Sequence, residues 1–183
     1  MVTEEDDQAL IEACRGGNRA AFAALVRRYE RTLYNAAYRV LGNTEDARDI
    51  VQVVFVRVLE HFDEYDSRYR FFSWIYRIAI NEAITLLRRN SRDQPLDDGF
   101  DPPAPDDADP ARVLRDGQVA DRVQRALQRM KPNDRIVLTL RHFSDCSYQE
   151  MSEILALDEK TVKSRLFAAR QRLAGVLQDL HES

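Results

Sequence analysis

Cysteine is scarce in this sequence. The two present, Cys14 and Cys146, stand far apart and outside any CxxC spacing, which excludes a disulfide framework and a cysteine-rich zinc cage. Cys146 follows His142 by four residues, a helical spacing for two ligands, but two ligands do not complete a metal site. Histidine is nearly as scarce, and neither a glycine-rich phosphate loop nor a nucleophile–base pair accompanies it. No catalytic centre, cofactor or metal is expected. Long apolar runs are also missing: none approaches the ~18 residues that cross a bilayer, and the N-terminal MVTEEDD is acidic where a secretory signal is basic and then apolar. The expected location is the cytoplasm, with no direct membrane insertion.

What is present is a soluble balance of 44% hydrophobic and 32% charged residues over 183 positions, enough for one ordinary domain or two small ones. The net charge of -4 argues superficially against a polyanion ligand, but the charge is segregated. Seven acids and no base lie between Asp93 and Asp109, four bases and no acid between Lys163 and Leu173, and six arginines against two acids between Asp66 and Arg92. Blocks of this kind matter more to a nucleic acid than the sum does.

Residues 91–112 contain five of the six prolines, many aspartates and little to bury. They read as a flexible, acidic, self-repelling linker between a first domain at 1–90 and a second at 113–183. Both flanks carry apolar residues at helical spacing and no strand alternation, so the fold class is all-α: a helical bundle, the linker, and a second small helical domain. In the bundle, Phe22, Leu25, Val26, Tyr29, Leu33 and Val40 form one stripe ended by Gly42. A second helix spans Glu45 to about Phe62 and a third about Phe71 to Arg89. In the second domain Ser147 with Glu150 reads as a capping box opening a short helix to Leu155. A turn at Ala156-Leu157 follows, and Asp158 caps a last basic helix, giving a helix-turn-helix.

On that last helix Val162, Leu166 and Ala169 fall on one face, which must be packed. Ser164, Phe167 and Gln171 point away, with Lys163 and Arg170 on one flank and Arg165 and Arg172 on the other. Together with Lys160 and Thr161 near the helix start, these are the candidate contacts to a major groove, with Arg170 and Arg172 placed to reach phosphates. A second stripe brings Arg70, Arg77, Asn81 and Arg88 together after an aromatic connector, with Tyr65, Arg68 and Tyr69 as exposed partners suited to unstacked bases. Phe71 and Trp74 are expected in the core. On the Glu45–Phe62 helix, Asp49, Gln52, Val53 and Val56 oppose the core face, an outward patch that suggests a protein partner.

The run DARDIVQVVFVRVLEHFDEYDSRYRFFSWIYRIAINEAITLLRR resembles region 2 of the extracytoplasmic-function sigma factors of bacterial RNA polymerase. PNDRIVLTLRHFSDCSYQEMSEILALDEKTVKSRLFAARQRL resembles their region 4, and the likeness spans about residues 8 to 178. It implies docking on the polymerase clamp through Asp49, Gln52, Val53 and Val56, with a further contact to the flap. It also implies capture of the opened minus-10 strand between Tyr65 and Asn81, and a grip on the minus-35 duplex between Lys163 and Arg170. An anti-sigma partner and a stress response are implied in the same way. Three positions depart from the family: Val53 where Glu is common, Ala156 where a turn Gly is usual, and Ala168 where a base often stands. A stand-alone helix-turn-helix regulator of duplex DNA explains residues 113–183 equally well, but leaves the aromatic–arginine cluster and the outward valines without a purpose. A purely regulatory partner-binding module does not need a groove-shaped basic helix.

Overall fold

A computed structural model describes residues 4–93 and 110–182, which form eight α-helices and one 3₁₀ turn, with no strand among the described residues. The first four helices are α1 (Glu4–Arg15), α2 (Arg19–Leu41), α3 (Thr44–Glu60) and α4 (Phe71–Asp93). Local chemistry sets their ends. The Asn18 side chain accepts from the amides of Ala20 and Ala21, and Asn43 does the same for Glu45 and Asp46, satisfying donors that the helix itself leaves orphaned. Gly42 stops α2 at φ +78°, a left-handed conformation that costs a residue with a Cβ about 1–2 kcal/mol.

The second set is α5 (Pro110–Gln128), α6 (Pro132–His142), α7 (Tyr148–Leu155) and α8 (Glu159–Glu182). Pro132 starts α6, where its missing amide is no loss. The expected capping box is present in both directions: the Glu150 amide donates to Ser147 Oγ at 3.1 Å, and the Ser147 amide to Glu150 Oε2 at 2.7 Å. Asp158 caps α8 by accepting from the Thr161 amide at 2.8 Å. Ala156 turns the chain between α7 and α8 in the left-handed region at φ 52° without being glycine.

The linker expected over 91–112 has helix at both margins, since α4 runs to Asp93 and α5 begins at Pro110; residues 94–109 lie outside the described residues. The two halves share one apolar core, in which Leu25, Leu33 and Ile75 belong to the same cluster as Leu127, Leu138 and Leu166. α6 shows why. All seven residues from Asp134 to Leu140 are buried, because α7 and α8 cover part of the helix while α2 and α4 of the first half pack on the rest.

Candidate nucleic-acid interface

The helix-turn-helix is built from α7 and α8. Val162, Leu166 and Ala169 of α8 are at most 1% exposed, and their burial fixes the rotation of the helix. Lys160, Lys163, Ser164, Arg165, Arg170, Gln171 and Arg172 are therefore left exposed, Phe167 is 63% exposed, and Thr161 is half-buried. The expected outer face exists. Lys163 is held near the turn by Glu159 at 3.2 Å and lies over the Tyr148 ring at 5.1 Å.

Two arginines of this face are tied back to α6. Arg170 Nε donates to His142 Nε2 at 3.1 Å. Arg172 donates through Nε and Nη2 to the two carboxylate oxygens of buried Asp134, each at 2.7 Å. Arg172 thus braces α8 against α6. His142, placed by sequence beside Cys146 as a possible ligand pair, works instead as the acceptor for Arg170. Burial and then the Arg170 and Arg141 charges hold its pKa below the ordinary histidine value. Cys146 is buried and its thiol is pushed up to about 12, mainly by desolvation.

On α4, Arg77, Asn81 and Arg88 are exposed along one side, as the spacing required, and Tyr69 is 54% exposed beside them. Tyr65 is a correction. Expected as an exposed stacking residue, it is 4% exposed, with its ring packed on Phe71 and Trp74 at centroid separations of 5.4 and 5.3 Å. Its hydroxyl donates to the Tyr69 carbonyl at 2.7 Å, and Arg15 Nη2 donates to the Tyr65 carbonyl at 2.8 Å. Tyr65 shapes the connector from inside, while Tyr69 remains on the surface. Arg68 is exposed and pairs with Asp66, and Arg70 pairs with Glu150 of α7.

Arg70 borders a cleft of about 600 Å³ whose walls include Asp7, Tyr29, Tyr69, Ser144 and Glu150. Sequence spacing gave no hint of it, because its walls come from four separate segments. At its rim buried Asp7 accepts from the Tyr29 hydroxyl and from Arg28. The Tyr29 pKa is raised by burial first and by the Asp7 hydrogen bond second, so the phenol stays a donor.

The outward face of α3 is as expected at Asp49, Gln52, Val53 and Val56, all exposed. It is also longer, since Leu59, one turn beyond, is 58% exposed. Val53, Val56 and Leu59 recur at three-residue steps and make an apolar ridge in solvent, rimmed by Asp49, Gln52 and Glu60. An isolated exposed apolar residue means little, but three on one helix make a contiguous apolar patch in solvent.

Residues 25–93 match the family model for Sigma-70 region 2, and residues 120–173 that for Sigma-70, region 4. The chain is 30% identical to the ECF RNA polymerase sigma factor SigW of Bacillus subtilis over 93% of its own length and 96% of the relative's. It is 29% identical to the RNA polymerase sigma-H factor of Pseudomonas aeruginosa over 98% of both chains. Among solved structures, CnrH in complex with the cytosolic domain of CnrY superposes with a TM-score of 0.71 at 26% identity, covering 95% of this chain and 98% of that one.

Proposed function

The chain belongs to the extracytoplasmic-function sigma factors of bacterial RNA polymerase, and from that premise we propose how three of its surfaces divide the work of starting transcription. The protein directs promoter-specific initiation. The α3 ridge of Val53, Val56 and Leu59, with Asp49 and Gln52 at its edge, docks on the clamp of core polymerase. With Val rather than Glu at position 53, this contact is more apolar than in relatives that carry the acid. Tyr69, Arg70, Arg77, Asn81 and Arg88 hold the opened minus-10 strand, with Arg68 beside them. Lys163, Ser164 and Phe167 enter the minus-35 major groove, flanked by Lys160, Thr161, Arg165, Arg170 and Gln171. The second domain also meets the flap.

The observation that carries this reading is the pairing of two kinds of surface in one small molecule. Buried Val162, Leu166 and Ala169 turn a basic face of α8 outward, and α3 presents an unpartnered apolar ridge. A stand-alone duplex-binding regulator uses the first and has no need of the second. The activity is binding, with chemistry left to the polymerase, and it takes place in the cytoplasm where polymerase and chromosome are. No described helix is long and apolar enough to cross a membrane. An anti-sigma protein that covers the α3 ridge would switch the factor off, and the solved neighbour CnrH is in complex with the cytosolic domain of CnrY.

The test is transcription from the gene's native upstream region by purified core polymerase with and without the protein. Initiation at one start site, dependent on the protein and lost with Val56→Asp, supports the reading. Tight sequence-specific duplex binding without polymerase, and no protein-dependent transcript, returns the chain to the simple regulator.

A further inference from the structure

The last turns of α8 are tied to α6 on both flanks of the buried stripe Val162–Leu166–Ala169. Arg170 and Arg172 stand two residues apart and so leave the helix about 200° apart. Arg172 reaches Asp134 in the first turn of α6, and Arg170 reaches His142, the last residue of that helix. The two acceptors are separated by about 12 Å along α6 at 1.5 Å per residue. One tie at each end holds α8 across its neighbour.

The chemistry of the two ties differs in what it leaves over. Asp134 is buried and ionic, and it takes Nε and Nη2 of Arg172 together at 2.7 Å each. That arginine is spent, with its charge cancelled and its fork filled. His142 takes Nε of Arg170 alone, at 3.1 Å, and among the described residues the Nη1 and Nη2 groups of Arg170 have no partner. The ring stays neutral, because burial and the charges of Arg170 and Arg141 outweigh Asp145; with Nε2 accepting, its proton is on Nδ1. A neutral acceptor orders a guanidinium without cancelling its charge. Both residues are exposed, so the free Nη edge, the one that fits two phosphate oxygens at once, faces solvent on the DNA side of α8.

We propose that His142 is a positioning residue of the minus-35 interface: bonded to Arg170 Nε, it pre-orders the guanidinium so that both Nη groups are presented to one backbone phosphate. The proposal rests on the assignment of α8 to the minus-35 duplex. An arginine loses rotamer freedom when it grips a phosphate, and a tie made in the free protein removes part of that loss from the binding step. His142 acts through Arg170 and has no other part in the contact. The same residue type at the end of α6 thereby separates two arginines of like exposure into a brace, Arg172, and a prepared phosphate ligand, Arg170.

The experiment assembles the full-length protein and its variants with core polymerase and measures holoenzyme binding to a fluorescent promoter duplex from the native upstream region across a salt series. Arg170→Ala is expected to weaken binding about tenfold and to lower the salt slope by about one, the mark of one lost phosphate contact. His142→Ala weakens binding about fivefold, within what one ordering hydrogen bond supports, and leaves the slope in place. Added to Arg170→Ala it costs less than about twofold more, since its effect runs through that arginine. His142→Gln keeps a neutral acceptor at similar reach and stays within about twofold of the wild type. His142→Glu, of the same size as Gln, holds the arginine but cancels its charge, so the slope falls by about one. A packing role would not separate Gln from Glu. Wild-type binding by His142→Ala, a full His142→Ala loss in the absence of Arg170, or a Gln variant as weak as the Ala variant overturns the positioning role while the α8 assignment stands. Unchanged affinity and slope in Arg170→Ala itself removes the phosphate contact at this position, and the inference with it.

Discussion

Arg172 and Asp134 form a forked ion pair between α8 and α6, with both carboxylate oxygens engaged at 2.7 Å. The acid is buried and the arginine half open to solvent. Removing either partner leaves the other without its match, which is most costly for the buried acid. Arg172→Ala is expected to lower the thermal midpoint and to leave the salt dependence of promoter binding unchanged, whereas Arg165→Ala reduces the salt slope by about one. The double variant Arg172→Ala with Asp134→Asn loses little more stability than either alone. An unchanged midpoint with a reduced slope would return Arg172 to the phosphate contacts.

The exposed N-terminal part of α8 should carry base preference. Substitutions at Lys163, Ser164 or Phe167 are expected to reorder the preferred minus-35 bases, with about 1–3 kcal/mol of discrimination at the affected position. Arg165→Ala weakens all promoters alike. Transcription across single-base variants of one minus-35 element measures both, and a uniform loss for the Lys163 and Ser164 variants would remove the readout role.

Leu59 extends the docking ridge past the point where sequence spacing ended it. Leu59→Asp and Val56→Asp place charge on side chains that are more than half exposed in the free protein, so folding is expected to hold while affinity for core polymerase falls by at least tenfold, about 1.4 kcal/mol. Thermal melts alongside a competition assay for core polymerase decide it. Normal competition by Leu59→Asp would confine the contact to Asp49–Val56.

Asn81 is exposed on α4 with no partner required for its fold beyond the helix itself. If it holds an unpaired base, Asn81→Ala impairs transcription from a closed duplex promoter more than from a template with a pre-melted bubble. Equal losses on the two templates would instead indicate a docking defect.

His142 accepts the Arg170 hydrogen bond only when Nε2 carries no proton. Burial and the two arginine charges depress its folded pKa, with Asp145 opposing. The unfolded chain then takes up the proton more readily, so the contribution is fully present above the ordinary histidine value near 6.5 and is lost as pH falls below it. Thermal midpoints from pH 8 to 5.5 should fall more steeply for the wild type than for His142→Gln. Parallel lines would mean that the ring titrates normally.

Ala156 is exposed in a left-handed conformation, so Ala156→Gly relieves strain of about 1–2 kcal/mol against the ~0.4–1 kcal/mol of extra freedom it gives the unfolded chain. A net gain of about 0.5–1 kcal/mol is expected, seen as a rise of a few degrees in the midpoint, with minus-35 preference unchanged.

Features written in neighbouring residues were legible without the structure. The capping box of Ser147 and Glu150, the Asp158 cap, the stop at Gly42 and the inward stripe Val162–Leu166–Ala169 are decided within one or two helical turns, and all are present as read. The same local reasoning exposed Asp49, Gln52, Val53 and Val56. It misplaced Tyr65, because an aromatic-rich connector offers no period to tell which ring turns inward; Phe71 and Trp74, fixed by α4, decide that. It ended the ridge at Val56, and Leu59, which the spacing assigned to neither face, is left uncovered by the neighbouring helices.

The sequence by itself determined the helices, their caps and the rotation of α8, since backbone hydrogen bonds and the 3.6-residue period act over short separations. Only the tertiary structure decided which charges are free. Arg172 finds Asp134 across 38 positions and Arg70 finds Glu150 across 80, and pairs so distant leave no periodic trace in the chain. It likewise decided that α6 is covered from both sides, because burial of Asp134 through Leu140 depends on how the two halves pack together and on nothing within the eleven residues of that helix.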